Sequence, residues 1–200
     1  PPIVAEIHLK NMRQLARNIL SEKVSLIDEH SILAKLMVQT SRVSGLAQVY
    51  DNLVGFEGCE FYFYRPENGL GGITYGDLLF HFPDSSVLGL RKADGGIMLN
   101  PSPDTVCVGD DEAVILAKDD STIKFLKQKL AVETPQCKAA TPHPKTVENQ
   151  LIVGWSHKTP TILSEYSNYL AKNSKIDVVV PEISDNMKQE FTTVQKKHGD

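Results

Sequence analysis

Apolar and polar positions change rhythm three times along the chain. At the start, Ile3–Ile7 reads as a strand. Asn11–Leu20 reads as a helix, because Met12, Leu15, Ala16, Ile19 and Leu20 recur at the spacing of one helical face. Val24–Ile27 is a second short strand, and Asp28 is suited to cap the next helix, whose apolar face would be Ile32, Leu33, Leu36, Met37 and Thr40. A β-α-β-α order of this kind belongs to a parallel α/β sheet. Such sheets carry helices on both faces, which two strands alone cannot provide, so further strands are expected upstream of Pro1.

The far end repeats the pattern. Gln150–Val153 is an apolar strand, and residues 154–158 form a turn. Thr159-Pro160 opens a helix with proline where a missing N–H costs least. Ile162, Leu163, Tyr166, Tyr169 and Leu170 share its apolar face. Ile176–Val180 is a buried-type strand closed by Pro181, and Ser184–Lys197 is a polar helix. A second α/β unit therefore begins near Leu151 and is cut after its second helix.

Between these ends the rhythm shortens to strands and turns. Val87–Arg91 is apolar, Ala93-Asp94-Gly95-Gly96 is a tight turn, and Ile97–Leu99 pairs back. Residues 100–104 hold two prolines, which cannot continue a ladder. Val106–Val108 leads to the turn Gly109-Asp110-Asp111, and Ala113–Ala117 is a final apolar strand. A helix over Ser121–Leu130, capped by Asp119 or Asp120, follows. Ala131–Asn149, with Pro135, Pro142 and Pro144, reads as an extended connector. No internal repeat is present.

Composition narrows the classes. The chain has 200 residues, of which 41% are hydrophobic and 23% charged, enough for a sizeable core. A net charge of −4 and the lack of a basic run argue against a nucleic-acid partner. Apolar runs fall far short of the roughly 20 residues of a membrane helix, and there is no signal-peptide pattern. Three cysteines without metal-ligand spacing fit a reducing compartment, with Cys59 and Cys107 read as core thiols.

Candidate chemistry is sparse. Gly154-Trp155-Ser156-His157-Lys158-Thr159 stands where a dinucleotide fold has its glycine-rich loop, but only Gly154 remains of the glycines. Trp155 and His157 are bulky, Pro160 removes a donor, and no acid ends the strand Ile176–Val180. Ordinary NAD binding is disfavoured; another anion on the helix start, held by Gly154, Ser156 and Thr159, is the candidate that remains. Asp110, Asp111, Glu112, Asp119 and Asp120 read as solvated turn acids. The six histidines form no HxH or HxxxH pair, which leaves zinc unsupported. Ser156 beside His157 is no nucleophile arrangement, so catalytic residues are none and the chain is not read as an enzyme.

The opening VAEIHLKNMRQLARNI, the segment SGLAQVYDNLV and the lobe FEGCEFYF…GITYGDLLFHFPDSSVLGLRKADGGIMLNP resemble RCK domains (regulators of K⁺ conductance, TrkA-C type), most of all those of the Castor/Pollux branch of cation channels. The resemblance implies an α/β chain with an α+β lobe. Residues 1–55 would end one Rossmann-like RCK unit and include its crossover helix. Residues 56–130 would be the β-rich C-lobe, 131–149 a linker, and 150–200 the start of a second Rossmann-like unit.

In function the resemblance implies a cytosolic gating-ring segment of a membrane protein, which senses a ligand and couples it to pore opening. The alternative is a TrkA-like regulatory domain of a potassium uptake or efflux transporter. An NAD(P)-dependent oxidoreductase is a third reading, against which the degraded glycine loop speaks. Partners would be identical RCK subunits, in a homodimer or ring, and the membrane pore domain of the parent. Ser44–Val54 would be the crossover. Its stripe Leu46, Val49, Tyr50 and Leu53 reads from residues alone as covering its own core, and by resemblance as packing on a partner lobe. In calcium-gated relatives, a glutamate in the matching Ala-Glu pair helps to hold Ca²⁺. Glu6 fits that position, while His8 stands where a second acid would be.

Overall fold

The computed structural model describes residues 3–7, 10–19, 24–131 and 146–198. They divide into two compact units, 1–47 with 141–200, and 48–140. His8, Cys137 and most of the 131–149 linker lie outside the described residues.

The first unit opens with β1 (Ile3–Glu6), α1 (Lys10–Ile19), β2 (Val24–Ile27) and α2 (Glu29–Arg42). β1 and β2 pair in parallel, from Ile3 opposite Val24 to Glu6 opposite Ile27. Asp28 caps α2 as expected, its Oδ1 accepting from the Ser31 N–H at 3.1 Å. The buried face of α2 differs from the expected one. Ala34 and Val38 are buried, whereas Ile32, Leu33 and Met37 are exposed. Small side chains let a second helix approach closely, and the bulkier stripe lies on the flank. The next helix, α3 (Leu46–Val54), buries none of its residues.

The second unit is an antiparallel sheet with a short helix. Beyond most of α3, it comprises β3 (Glu60–Tyr64), α4 (Tyr75–Leu78), β4 (Ser86–Arg91), β5 (Ile97–Leu99) and β6 (Glu112–Ala117). The sheet order is β3-β6-β4-β5. The Val87–Leu99 hairpin forms as the turn chemistry predicts: Gly95 has φ +86°, and the Gly96 N–H donates to Asp94 Oδ1 at 2.8 Å. A register shift between Val87 and Gly89 lets both Val87 and Leu90 face the core, opposite Ile115 and Ala113. Gly89 is required there, because a Cβ would lie 2.1 Å from the Met98 carbonyl oxygen. Leu70, Leu78, Leu90 and Ile115 are fully buried around Tyr75, Phe82 and Cys107. Each such leucine contributes about 1.5–3 kcal/mol.

Two expectations for this unit are corrected. Residues 121–130 form no helix; a 3₁₀ turn at Asp120–Thr122, capped by the Asp119 carboxylate, gives way to an extended segment. Tertiary contacts override the helical pattern. The Leu126 and Leu130 N–H groups donate to the carbonyls of His81 and Phe80, while Phe125 stacks on His81. Cys59 is exposed rather than a core thiol, and only Cys107 of this pair is buried.

The chain then returns to the first unit with β7 (Asn149–Val153), α5 (Thr159–Tyr169), β8 (Lys175–Val179) and α6 (Asp185–His198). β7 and β8 pair in parallel over five residues. Ile162, Leu163 and Tyr166 are buried, so the expected face of α5 is largely the observed one. β8 is not the fully buried strand its sequence suggests. Its exposures alternate and Val179 is exposed, as are Leu151 and Val153 on β7.

Candidate functional site

The two βα halves of the first unit meet along one seam, α2 against α5. Positions 34, 38 and 41 recur at helical spacing and bring Ala34, Val38 and Ser41 to one side. Ala34 and Val38 pack with Ile162 and Tyr166, and Ile152 and Ile176 close the cluster from below. The hydroxyls of Ser41 and Tyr166 lie 2.6 Å apart. One turn further on, Arg42 donates to Glu148 Oε1 at 2.7 Å, and its guanidinium sits 5.8 Å from the Tyr169 ring centre. A cleft of about 470 Å³ opens here, lined by Val38, Arg42, Leu46, Glu148 and Tyr169. At the opposite end of the seam, His30 and His157 are in contact, with Nδ1 and Nε2 2.9 Å apart. The seam is therefore a greasy centre with a polar clasp at each end. None of these pairs has a local signal in the sequence, because the partners are more than one hundred residues apart.

The turn proposed for an anion is closed on itself. Gly154 has φ +95° and donates to the Val179 carbonyl at 2.8 Å. Ser156 N–H donates to Thr159 Oγ1 at 2.9 Å, Lys158 N–H to Ser156 Oγ at 3.2 Å, and Thr159 N–H to the Ser156 carbonyl at 2.9 Å. Thr159 is buried. The N–H groups of Gly154, Ser156, Lys158 and Thr159 are thus engaged, and Pro160 offers none. Glu6 stands exposed at the end of β1, apart from that turn in sequence and on the other strand pair. Among the described residues, no group of three or more His, Cys, Asp or Glu is placed to hold a metal ion.

In the lobe, three of the five acids read as solvated turn residues form a row of ion pairs, while Asp110, Asp119 and Asp120 stay exposed as expected. Asp110 meets Arg65 at 3.2 Å, Asp111 meets Lys92 at 2.6 Å, and Glu112 meets Arg91. Arg91 also lies over the Phe63 ring, 3.9 Å from its centre. Asp111 corrects the expectation most sharply, since it is buried. Burial raises the Cys107 thiol above its ordinary range; the Asp111 carboxylate adds to this and Lys92 opposes it.

Two parallel βα pairs and an antiparallel lobe make a mixed α/β fold. The chain aligns with the solved structure of the human SLO3 gating ring at a TM-score of 0.56, over 88% of this chain and 40% of that one. At 11% identity the likeness is one of fold. In sequence, residues 30–133 match the family model described as Castor and Pollux, part of voltage-gated ion channel. The chain belongs to the Castor and Pollux family.

Relatives include the probable ion channel POLLUX of Oryza sativa subsp. japonica, 31% identical over 87% of this chain and 18% of that protein. The ion channel POLLUX of Lotus japonicus is 31% identical over 87% of this chain and 19% of its own length. The ion channel CASTOR of Lotus japonicus is 30% identical, over 87% and 20%. The chain thus spans about a fifth of the curated relatives it matches. No helix among the described residues is long and apolar enough to cross a membrane.

Proposed function

We propose that this chain is a cytosolic gating-ring segment of a cation channel, which couples ligand binding to pore opening. The observation that carries the reading is the family match over residues 30–133, which takes in α2, α3 and the whole antiparallel lobe. The seam between α2 and α5 supports it. A ring that transmits force needs two α/β halves that move as clasped bodies, and the seam supplies the clasp.

The partners in this reading are identical copies and the pore domain of the parent protein. Support for self-association comes from apolar surface that stays open. Phe61, Phe63, Ile97 and Leu99 are exposed on the lobe sheet, and Val49 is exposed on α3. Glu6 remains the Ca²⁺ candidate; its carboxylate would need further oxygen ligands from a neighbouring copy or segment.

The test is electrical recording from the full-length protein carrying this sequence, reconstituted in planar bilayers. Discrete cation conductance is expected, with ligand dependence lost in Gly89→Val, which disrupts the lobe. Slow saturable ion turnover without unitary currents would overturn the channel reading and favour regulation of a transporter. Conductance whose ligand response is unchanged in Gly89→Val would remove the lobe from the coupling.

A further inference from the structure

The N-terminal clasp of the seam has a chemistry that the other end lacks. His157 Nε2 lies 2.9 Å from His30 Nδ1 and 3.3 Å from Lys158 Nζ, and the two ring centres are 4.0 Å apart. An ammonium group can only donate, so Nε2 of His157 is the acceptor and its ring hydrogen resides on Nδ1. His30 then donates from Nδ1. One lone pair on His157 serves two donors from two different elements.

The surroundings set the direction of any titration. Lys158 stands beside His157, and the pair lies where α2 and α5 begin, at the positive ends of both helix dipoles. Asp28 and Glu29 face it from the start of α2. Glu190 faces it from α6, across a polar cavity of about 670 Å³ that Asp28, His30, His157 and Glu190 line together. Asp28 is engaged in capping α2, and Glu190 accepts from Trp155 Nε1 at 3.2 Å. Loss of solvation, then His30, then Lys158 push the His157 imidazolium below the ordinary histidine range, and Glu29 offsets this only in part.

We propose that the His30–His157 contact is a proton-operated latch: neutral His157 holds the start of α2 to the start of α5, and a proton on its Nε2 releases them. The proton occupies the lone pair, so both donors lose their acceptor together, and His30 would meet the new N–H only by shifting its own hydrogen from Nδ1 to Nε2. The resulting imidazolium faces Lys158 and two helix N-termini. The far end of the seam, Ser41 with Tyr166 and Arg42 with Glu148, contains no imidazole, so release opens the seam from one end only. Acid would therefore change the angle between the two α/β halves rather than separate them. This inference does not depend on the channel reading.

Trp155 is the only tryptophan of the chain and lies two residues from His157, so the protein carries its own reporter. The experiment follows the imidazole NMR resonances, Trp155 emission and amide exchange in the first turn of α5 on the 200-residue chain. The titration runs from about pH 8 to about pH 5, across the histidine range. His157 is expected to take up its proton below the ordinary histidine range, with Trp155 emission and first-turn exchange changing on that step. In His30→Gln the His157 midpoint should move up. In His157→Gln, which still accepts but never protonates, emission and exchange should stay flat. A His157 midpoint unchanged by His30→Gln would overturn the latch. So would acid-induced exchange in His157→Gln equal to that of the native chain.

Discussion

Asp111 is 1% exposed, and its Oδ2 accepts from Lys92 Nζ at 2.6 Å and from the Val108 N–H at 2.8 Å. One carboxylate thereby ties the end of β4 to the turn before β6. Removing Lys92 leaves the carboxylate buried with half its partners, and breaking such a pair costs about 3 kcal/mol. Lys92→Met is expected to lower the stability of the lobe by that order. Asp111→Asn should cost less, since an amide oxygen still accepts from Val108. A double-mutant cycle in urea should give a coupling energy of about 1–3 kcal/mol. Additive losses would show that the pair is incidental.

Gly89 carries a second expectation for the same lobe. A Cβ there would meet the Met98 carbonyl oxygen at 2.1 Å and the Leu99 Cα at 2.9 Å, both on the backbone of β5. Neither atom can swing away as a flexible side chain would. Gly89→Ala is expected to detach β5 and cost about 1–3 kcal/mol, the range of overpacking changes. Hydrogen exchange of the Asn100 amide, which donates to the Leu88 carbonyl at 2.8 Å, is the direct readout. Protection equal to that of the native chain would show that the hairpin absorbs the methyl group.

Much of this fold is legible from residues because its signals are local. Asp28 caps α2 through a residue three positions on, and Gly95 forms its turn within one short hairpin. What the pattern misses is set by distant partners. The apolar stripe Ile32, Leu33 and Met37 looks like the face of α2, yet Ala34 and Val38 are buried because α5 packs there. Residues 121–130 show a helical pattern, yet Leu126 and Leu130 pair with the backbone of His81 and Phe80. Of the acids after Gly109, Asp110 is exposed as expected, whereas Asp111 is buried and Glu112 half-buried where Lys92 and Arg91 are brought opposite them. The seam is likewise invisible in the sequence, since His30 and His157 lie 127 positions apart.

The seam itself makes a measurable claim. Ser41 and Tyr166 share a hydrogen bond of 2.6 Å beside the buried pair Val38 and Ile162. Tyr166→Phe keeps the ring and removes the hydroxyl, so it should cost about 1 kcal/mol, a typical net hydrogen bond. Ser41→Ala should cost a similar amount. Together the two should cost less than the sum of the single changes, because both delete this bond, while Ser41→Ala also removes the Oγ donation to the Val38 carbonyl at 2.8 Å. Full additivity in thermal unfolding would mean that each hydroxyl is satisfied elsewhere.

The cysteines give a test that reads burial directly. Cys59 is exposed and Cys107 is buried, so in a Cys137→Ser background a water-soluble maleimide should label one thiol quickly. That thiol should be lost in Cys59→Ser. The pH dependence adds a second readout of Cys107. The thiolate is the nucleophile, and burial raises the Cys107 thiol above its ordinary range, so less thiolate is present at any given pH. Raising the pH from about 7 to about 8.5, across the ordinary thiol range, should therefore leave Cys107 slow. Denaturant should abolish the difference, because unfolding removes both the burial and the nearby Asp111 carboxylate that hold the Cys107 proton. Fast native labelling of Cys107 would contradict a closed lobe core around Leu90 and Ile115.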